Sequence, residues 1–141
     1  LWQSWLQRNR LYDAEKAFVE AILLDPAFVP AYVNLSDVYR LRNDEGQAER
    51  IVRDGLAVAP SAAVLHHALG LGLVRQHRVS DALPELARAA TLDAGNARYQ
   101  YVYAVALHDS GKTDEARRVL RAAAARFPGD GSIAEALEAF R

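Results

Sequence analysis

The chain has 141 residues, of which 51% are hydrophobic and 25% charged, and its formal net charge is −1. This composition is typical of a globular protein, and it gives no support for a nucleic-acid partner, because nucleic-acid binders usually present a strongly basic face. The absence of cysteine excludes disulfides, thiolate metal sites, cysteine nucleophiles and haem attachment through C-x-x-C-H within this segment. No apolar run approaches the ~18 residues of a spanning helix, so we expect no membrane insertion.

The chain begins Leu1-Trp2-Gln3 and contains no Met. It shows neither the charged nor the apolar segment of a signal peptide. We therefore expect it to be a piece of a longer protein. Its localisation stays open between a soluble cytoplasmic and a bacterial periplasmic protein, because the absence of cysteine fits a reducing or an oxidising compartment.

A repeat of constant length organises the chain: small residues recur every 34 positions, at Ala14, Ala48, Ala82 and Ala116. Four residues after each of them stands a bulky apolar residue, and seven after stands a small one, as in Ala48, Val52 and Gly55. A fixed period of this length predicts a stack of helical hairpins.

The predicted helices, in chain order, cover residues 1–9, 12–25, 28–42, 45–58, 62–76, 80–93, 97–110, 113–126 and 131–140. Turns within the hairpins are predicted where Asn, His or Gly can end a helix, at Asn9-Arg10, Asn43-Asp44, His77-Arg78 and Gly111-Lys112. Between the hairpins, proline or an N-capping residue separates the helices. The last helix has one apolar face (Ile133, Leu137, Phe140), so it is either a cap on the stack or the start of another hairpin.

The pattern resembles the tetratricopeptide repeat over essentially the whole chain. The second unit carries the resemblance in Tyr32, Leu35, Ser36, Tyr39, Ala48, Val52, Gly55 and Pro60, and the fourth in Tyr103, Ala104, Leu107, Gly111, Ala116, Leu120, Ala123 and Pro128. The resemblance implies an all-α, right-handed superhelix of about four helix-turn-helix repeats. The repeats would form a single domain over 1–141, at 1–28 (truncated at its start), 29–62, 63–96 and 97–130, with a capping helix at 131–141.

The resemblance also implies a protein-protein interaction module whose first helices line a concave groove. Such a groove would bind an extended peptide or a helix of a protein partner. On this chain the family geometry assigns the groove to Gln3, Val33, Asp37, Arg40, His67, Leu71, Arg75, Arg98, Tyr101, Val105 and His108. Apolar side chains lie in the middle of this set and arginines at its edges, a mixture that suits a peptide with some acidic residues.

Two alternatives remain open. The stretches 33–39, 65–70 and 97–107 look like repeat regions of large bacterial proteins, some of which carry multihaem cytochrome c segments, and this chain would then be an accessory segment of an exported redox protein. Alternatively, the chain is an oligomerisation scaffold: Trp2 and Trp5 would be poorly covered, and we expect a homodimer through the N-terminal helix to hide them.

Nothing in the sequence predicts an enzyme, a metal or a cofactor. The adjacent His66 and His67 point about 100° apart on a helix and cannot easily share a metal ion. The pair Gly70 and Gly72 lacks the third glycine of a dinucleotide-binding loop and falls inside a helix. The basic helix at 113–126 is interpreted as a solvated face, so no nucleic acid is expected.

Overall fold

The computed structural model describes the backbone of residues 2–141 and the side chains of residues 4–141. In that part of the chain the structure contains eight α-helices and no strand. The helices are α1 (Trp2–Leu24), α2 (Val29–Leu41), α3 (Glu45–Val58), α4 (Ala63–Arg75), α5 (Val79–Leu92), α6 (Ala97–Asp109), α7 (Thr113–Arg126) and α8 (Gly131–Ala139). From α2 onward the helices begin and end within one or two residues of the positions that the repeat pattern predicts.

The first helix differs from the prediction. A turn at Asn9-Arg10 was expected, but α1 runs unbroken from Trp2 to Leu24, over 23 residues. The predicted turn is therefore wrong. Asparagine tolerates both the helical and the left-handed backbone, and a continuous helix keeps the backbone hydrogen bonds that a turn would interrupt. The residue type at position 9 could not distinguish these two outcomes.

The other three predicted turns are present at equivalent positions of the repeat. Asn43, His77 and Gly111 adopt positive φ angles of 59°, 58° and 86°. This left-handed region favours glycine and tolerates asparagine. Histidine is also among the residues that adopt this region more often than most, so all three residue types suit the turn.

The chain divides into two compact units, Leu1–Ala68 and Leu69–Arg141, with the boundary inside α4. In the first unit α1 packs on α2, and α2 on α3. Leu35, Tyr39 and Ala48 form a buried cluster there, and Phe18 and Ile22 of α1 pack against it. The single-domain organisation and the repeat boundaries stay predictions.

In the second unit α5 packs on α6, α6 on α7, and α7 on α8. Its buried cluster joins α6 and α7 to the last helix and consists of Ala104, Leu107, Ala116, Leu120, Ala123, Ile133 and Ala136. Ile133 has no exposed surface. The apolar face of α8 thus covers the end of this core, as expected of a helix with one apolar stripe.

Small residues of the repeat lie where neighbouring helices come into close contact. A Cβ atom built on Gly70 of α4 would lie 2.5 Å from Cδ2 and 2.6 Å from Cγ of Leu86 in α5. Ala82 and Ala116 have no exposed surface, and Ala48 is 2% exposed. The repeating small residues are therefore contacts within the helical scaffold.

Candidate peptide-binding surfaces

In the first unit the predicted groove residues of α2 share one helix face. Val33, Asp37 and Arg40 are spaced by four and three residues, which places them in one row. Val33 is half-buried and the other two are exposed. Nη2 of Arg40 donates a hydrogen bond to Oδ1 of Asp37 at 3.2 Å. Because this exposed pair neutralises itself, the row presents little net charge to a ligand.

The predicted residue of α4 in the same unit, His67, is only 7% exposed. Little of its surface is therefore available to a peptide. Gln3, also predicted to line the groove, lies outside the residues whose side chains are described, as do Leu1 and Trp2.

In the second unit the predicted residues of α6 form a longer row. Arg98, Tyr101, Val105 and His108 follow one another at intervals of three or four residues. Arg98 is exposed, Tyr101 and Val105 are half-buried, and Tyr101 packs against the buried cluster of this unit. We call these four residues the α6 row. It combines a cation with an aromatic and an aliphatic side chain on one helix face.

The imidazole at the end of the α6 row has its own contacts. The ring of His108 stacks on Phe140, with 3.9 Å between the centroids and 10° between the planes. Its Nδ1 lies 3.1 Å from Oγ1 of Thr113. These contacts leave one end of the row occupied by the protein itself. The other two predicted residues of this unit are on α4, where Leu71 is half-buried and Arg75 exposed.

A polar cluster that sequence reasoning missed joins α1 to the end of α2. Oη of Tyr39 donates to Oε2 of Glu15 at 3.0 Å, and Arg42 pairs with the other carboxylate oxygen of Glu15. The Arg42 guanidinium also lies over the Tyr12 ring, 4.6 Å from its centroid. Burial and the contact with Glu15 raise the pKa of the Tyr39 phenol, and the hydrogen bond to Glu15 raises the pKa of Arg42.

Beside this cluster is a cleft of about 420 Å³ in the first unit. We call it the α1 cleft; the residues that line it are Ser4, Gln7, Arg8, Leu11, Tyr12, Leu41, Arg42 and Asn43. It was missed because the predicted turn at Asn9-Arg10 would have divided the helix that forms one wall. The signal that could have found it is the lack of glycine or proline anywhere from position 2 to 24.

Among the described residues, no group of three or more His, Cys, Asp or Glu side chains is placed to hold a metal ion. None of the described helices combines the length and the apolar character needed to cross a membrane.

The fold is that of tetratricopeptide repeat proteins, and residues 73–139 match the sequence model of the tetratricopeptide repeat family. The solved structures extend the same fold over the rest of the chain, which confirms the fold class and the family resemblance. A comparison with curated proteins found no significant match.

Three solved structures illustrate the likeness. The MamA protein shares 17% identity at a TM-score of 0.79, with 98% of this chain and 75% of MamA covered. YrrB, described as a TPR protein with an unusual peptide-binding site, shares 25% identity at a TM-score of 0.73, with 90% and 66% covered. TTC0263 of Thermus thermophilus, described as a thermophilic TPR protein, shares 20% identity at a TM-score of 0.77, with 98% and 76% covered. Together with the family match, they support a protein-interaction module.

Proposed function

We propose that the chain binds an extended peptide or a helix of a partner protein, and that the α6 row supplies the main contacts in the second unit. The observation that carries this proposal is the combination of exposed Arg98 with half-buried Tyr101 and Val105 on one helix face. The description of YrrB as having a peptide-binding site supports a peptide ligand for this fold.

The chemistry of the α6 row suggests what the ligand contains. A ligand that covers the remaining surface of Tyr101 and Val105 gains roughly 25 cal/mol for each Å² of apolar area removed from water. The guanidinium of Arg98 can make paired hydrogen bonds to a carboxylate. We therefore expect a segment with apolar residues at helical or extended spacing and an acidic residue at one end. The row Val33, Asp37 and Arg40 of α2, in which Asp37 and Arg40 neutralise each other, would add contact area rather than charge.

The experiment compares binding by two kinds of variant. A partner is captured with the parent chain from an extract of the source organism, and the affinity of its binding segment is then titrated. Tyr101→Ala combined with Arg75→Ala should weaken binding while leaving the helical circular dichroism signal intact. Because Tyr101 also packs on the core, Arg98→Glu provides a second variant that does not alter the core.

The matched control is Arg118→Glu, which makes the same charge change at an exposed position of α7. Weaker binding by Arg98→Glu than by Arg118→Glu is the expected result. Equal binding by parent, double variant and both charge variants would overturn the assignment of the α6 row.

A second function, self-association through α1, is favoured by one specific observation. Trp5, Tyr12 and Val19 are spaced by seven residues and are 56%, 58% and 37% exposed. This spacing places them in one stripe of a continuous helix, and Leu23, one turn further, is 76% exposed. Large exposed apolar stripes mark interaction surfaces. Sedimentation of the parent chain should show a dimer, and the double variant Val19→Lys, Leu23→Lys should sediment as a monomer. A parent chain that stays monomeric at high concentration would exclude self-association through α1.

The role as an accessory segment of an exported redox protein stays a prediction. The upstream gene sequence would test it through the presence or absence of C-x-x-C-H motifs.

A further inference from the structure

We propose that the α1 cleft is a separate binding site, which takes an acidic peptide segment of a partner protein. In this site the carboxylates of the segment face Arg8 and Arg42, and an apolar side chain of the segment packs on Leu11 and Leu41.

The residues that line the cleft define the class of ligand. Its volume of about 420 Å³ falls within the range of roughly 300–1,000 Å³ that ligand pockets have. Two arginines line it, together with hydroxyl and amide groups from Ser4, Gln7 and Asn43, and none of the eight lining residues is acidic. Every charged group that faces the ligand is therefore a donor with positive charge, which matches carboxylates and repels lysine and arginine.

Arg42 is already held in position for such a ligand. Its Nη1 donates to Oε1 of Glu15, and its guanidinium lies over the ring of Tyr12, 4.6 Å from its centroid, and over the ring of Tyr39, 5.8 Å from its centroid. A guanidinium has five N–H donors, so it can donate to a ligand while it stays paired with Glu15. Binding to an arginine held in this way loses less side-chain freedom than binding to an unrestrained one.

The other charge comes from Arg8, which is exposed. Because Glu15 offsets the charge of Arg42, Arg8 supplies most of the net attraction for an acidic ligand. Leu41 is 61% exposed and lies on the opposite helix, so the cleft also offers apolar surface. A segment with alternating acidic and apolar side chains satisfies both features, whereas a single terminal carboxylate would engage only one arginine.

The α1 cleft shares no lining residue with the α6 row or with Val33, Asp37 and Arg40 of α2. The two binding proposals can therefore fail or succeed independently. The cleft does share Tyr12 with the exposed stripe of α1, so the cleft is tested through Arg8 and Leu41, which are not part of that stripe.

The test is an NMR titration of the parent chain with a capped pentapeptide, acetyl-Glu-Leu-Glu-Phe-Glu-amide. We expect saturable shifts of the backbone amides of Ser4, Gln7, Arg8 and Asn43. The capped peptide with Gln in place of each Glu should bind more weakly, and the capped peptide with Lys in place of each Glu should not bind. The Gln peptide with a free carboxyl terminus separates a terminal carboxylate from side-chain carboxylates.

Arg8→Glu should weaken binding of the Glu peptide by up to about 25-fold, because it replaces an exposed attraction of up to about fivefold by a repulsion of similar size. Leu41→Ala should also weaken binding. Arg10→Glu is the matched control, since Arg10 is exposed on the same helix and does not line the cleft; it should change the affinity less than about twofold.

Several outcomes would overturn the proposal: shifts outside the cleft only, equal binding of the Glu and Lys peptides, or equal effects of the two arginine variants. Preference for the free carboxyl terminus over the Glu peptide would assign a different ligand and overturn it too. Shifts that follow protein rather than peptide concentration would show that a second copy, and not a partner's peptide, occupies the cleft.

Discussion

Gly70 offers the sharpest test of the packing in the second unit. The equivalent positions of the neighbouring repeats carry Ser36 and Ala104, so the repeat pattern alone predicts that alanine is tolerated. The structure predicts otherwise, because a Cβ on Gly70 would lie 2.6 Å from Cγ of Leu86. Leu86 is itself fully buried and cannot move aside without disturbing its neighbours.

The expected magnitude follows from two opposing effects. Overpacking a close-packed core costs about 1–3 kcal/mol, whereas replacing glycine by alanine inside a helix gains about 1 kcal/mol. Gly70→Ala should therefore lower the free energy of unfolding by about 1 kcal/mol, with a range from near zero to about 2. Urea unfolding followed by circular dichroism measures it.

Gly46→Ala is the matched control, because it makes the same change in α3 where the new Cβ would meet only Oδ1 of Asp44, at 3.6 Å. This variant should be more stable than the parent by up to about 1 kcal/mol. The difference between the two variants isolates the steric cost at Gly70. If both variants changed the stability equally, the close approach of α4 and α5 would be refuted.

A double-mutant cycle adds a second test of the same contact. Leu86→Ala alone should lower the free energy of unfolding by about 2–5 kcal/mol, because it leaves a cavity in the core. The combination with Gly70→Ala should cost at least about 1 kcal/mol less than the sum of the two single changes, since the new methyl group then enters the vacated space. Additive costs would contradict the geometry.

Three further changes have definite expected outcomes. Asp44 caps α3 by accepting from the Gln47 N–H at 3.1 Å, and this bond lowers the pKa of Asp44 below its ordinary value of 3.8. Asp44→Ala should thus reduce the melting temperature by about 2–4 °C at neutral pH, and the difference from the parent should vanish as the pH falls below about 4 through the lowered folded-state pKa. Asp44→Asn, which caps without titrating, should show no such pH dependence. Gly111→Ala should lower the free energy of unfolding in urea by about 1–2 kcal/mol. The loss would come from the φ of 86° alone, because the new Cβ would contact nothing. An unchanged midpoint of the urea transition would argue against the left-handed turn. Ile133→Ala should lower the free energy of unfolding by about 2–5 kcal/mol, because Ile133 is fully buried in the second unit. A decrease of less than about 1 kcal/mol would mean that α8 does not cover that core.

The binding surfaces could be predicted from the sequence less completely than the fold. The rows on α2 and α6 could be drawn from spacing, because residues three or four apart on a helix always share a face. The contacts of their side chains could not be predicted from spacing. The pairing of Asp37 with Arg40, the burial of His67 and the stacking of His108 on Phe140 depend on rotamers and on neighbouring helices.

The α1 cleft could be predicted from the sequence even less than the two rows. Tyr39 and Arg42 reach Glu15 across 24 and 27 residues of sequence, and no periodic pattern connects these positions. The cleft also required α1 to continue through Asn9, a residue that is compatible with either a helix or a turn.

The sequence by itself determined the helical hairpins, their order and most of their ends. It could do so because the small and bulky residues that pack one hairpin recur at a constant interval. Tertiary structure alone decided the continuity of α1, the cleft beside it and the residues that remain accessible to a ligand. These features depend on contacts between residues that occur once in the chain, so the repeat carries no information about them.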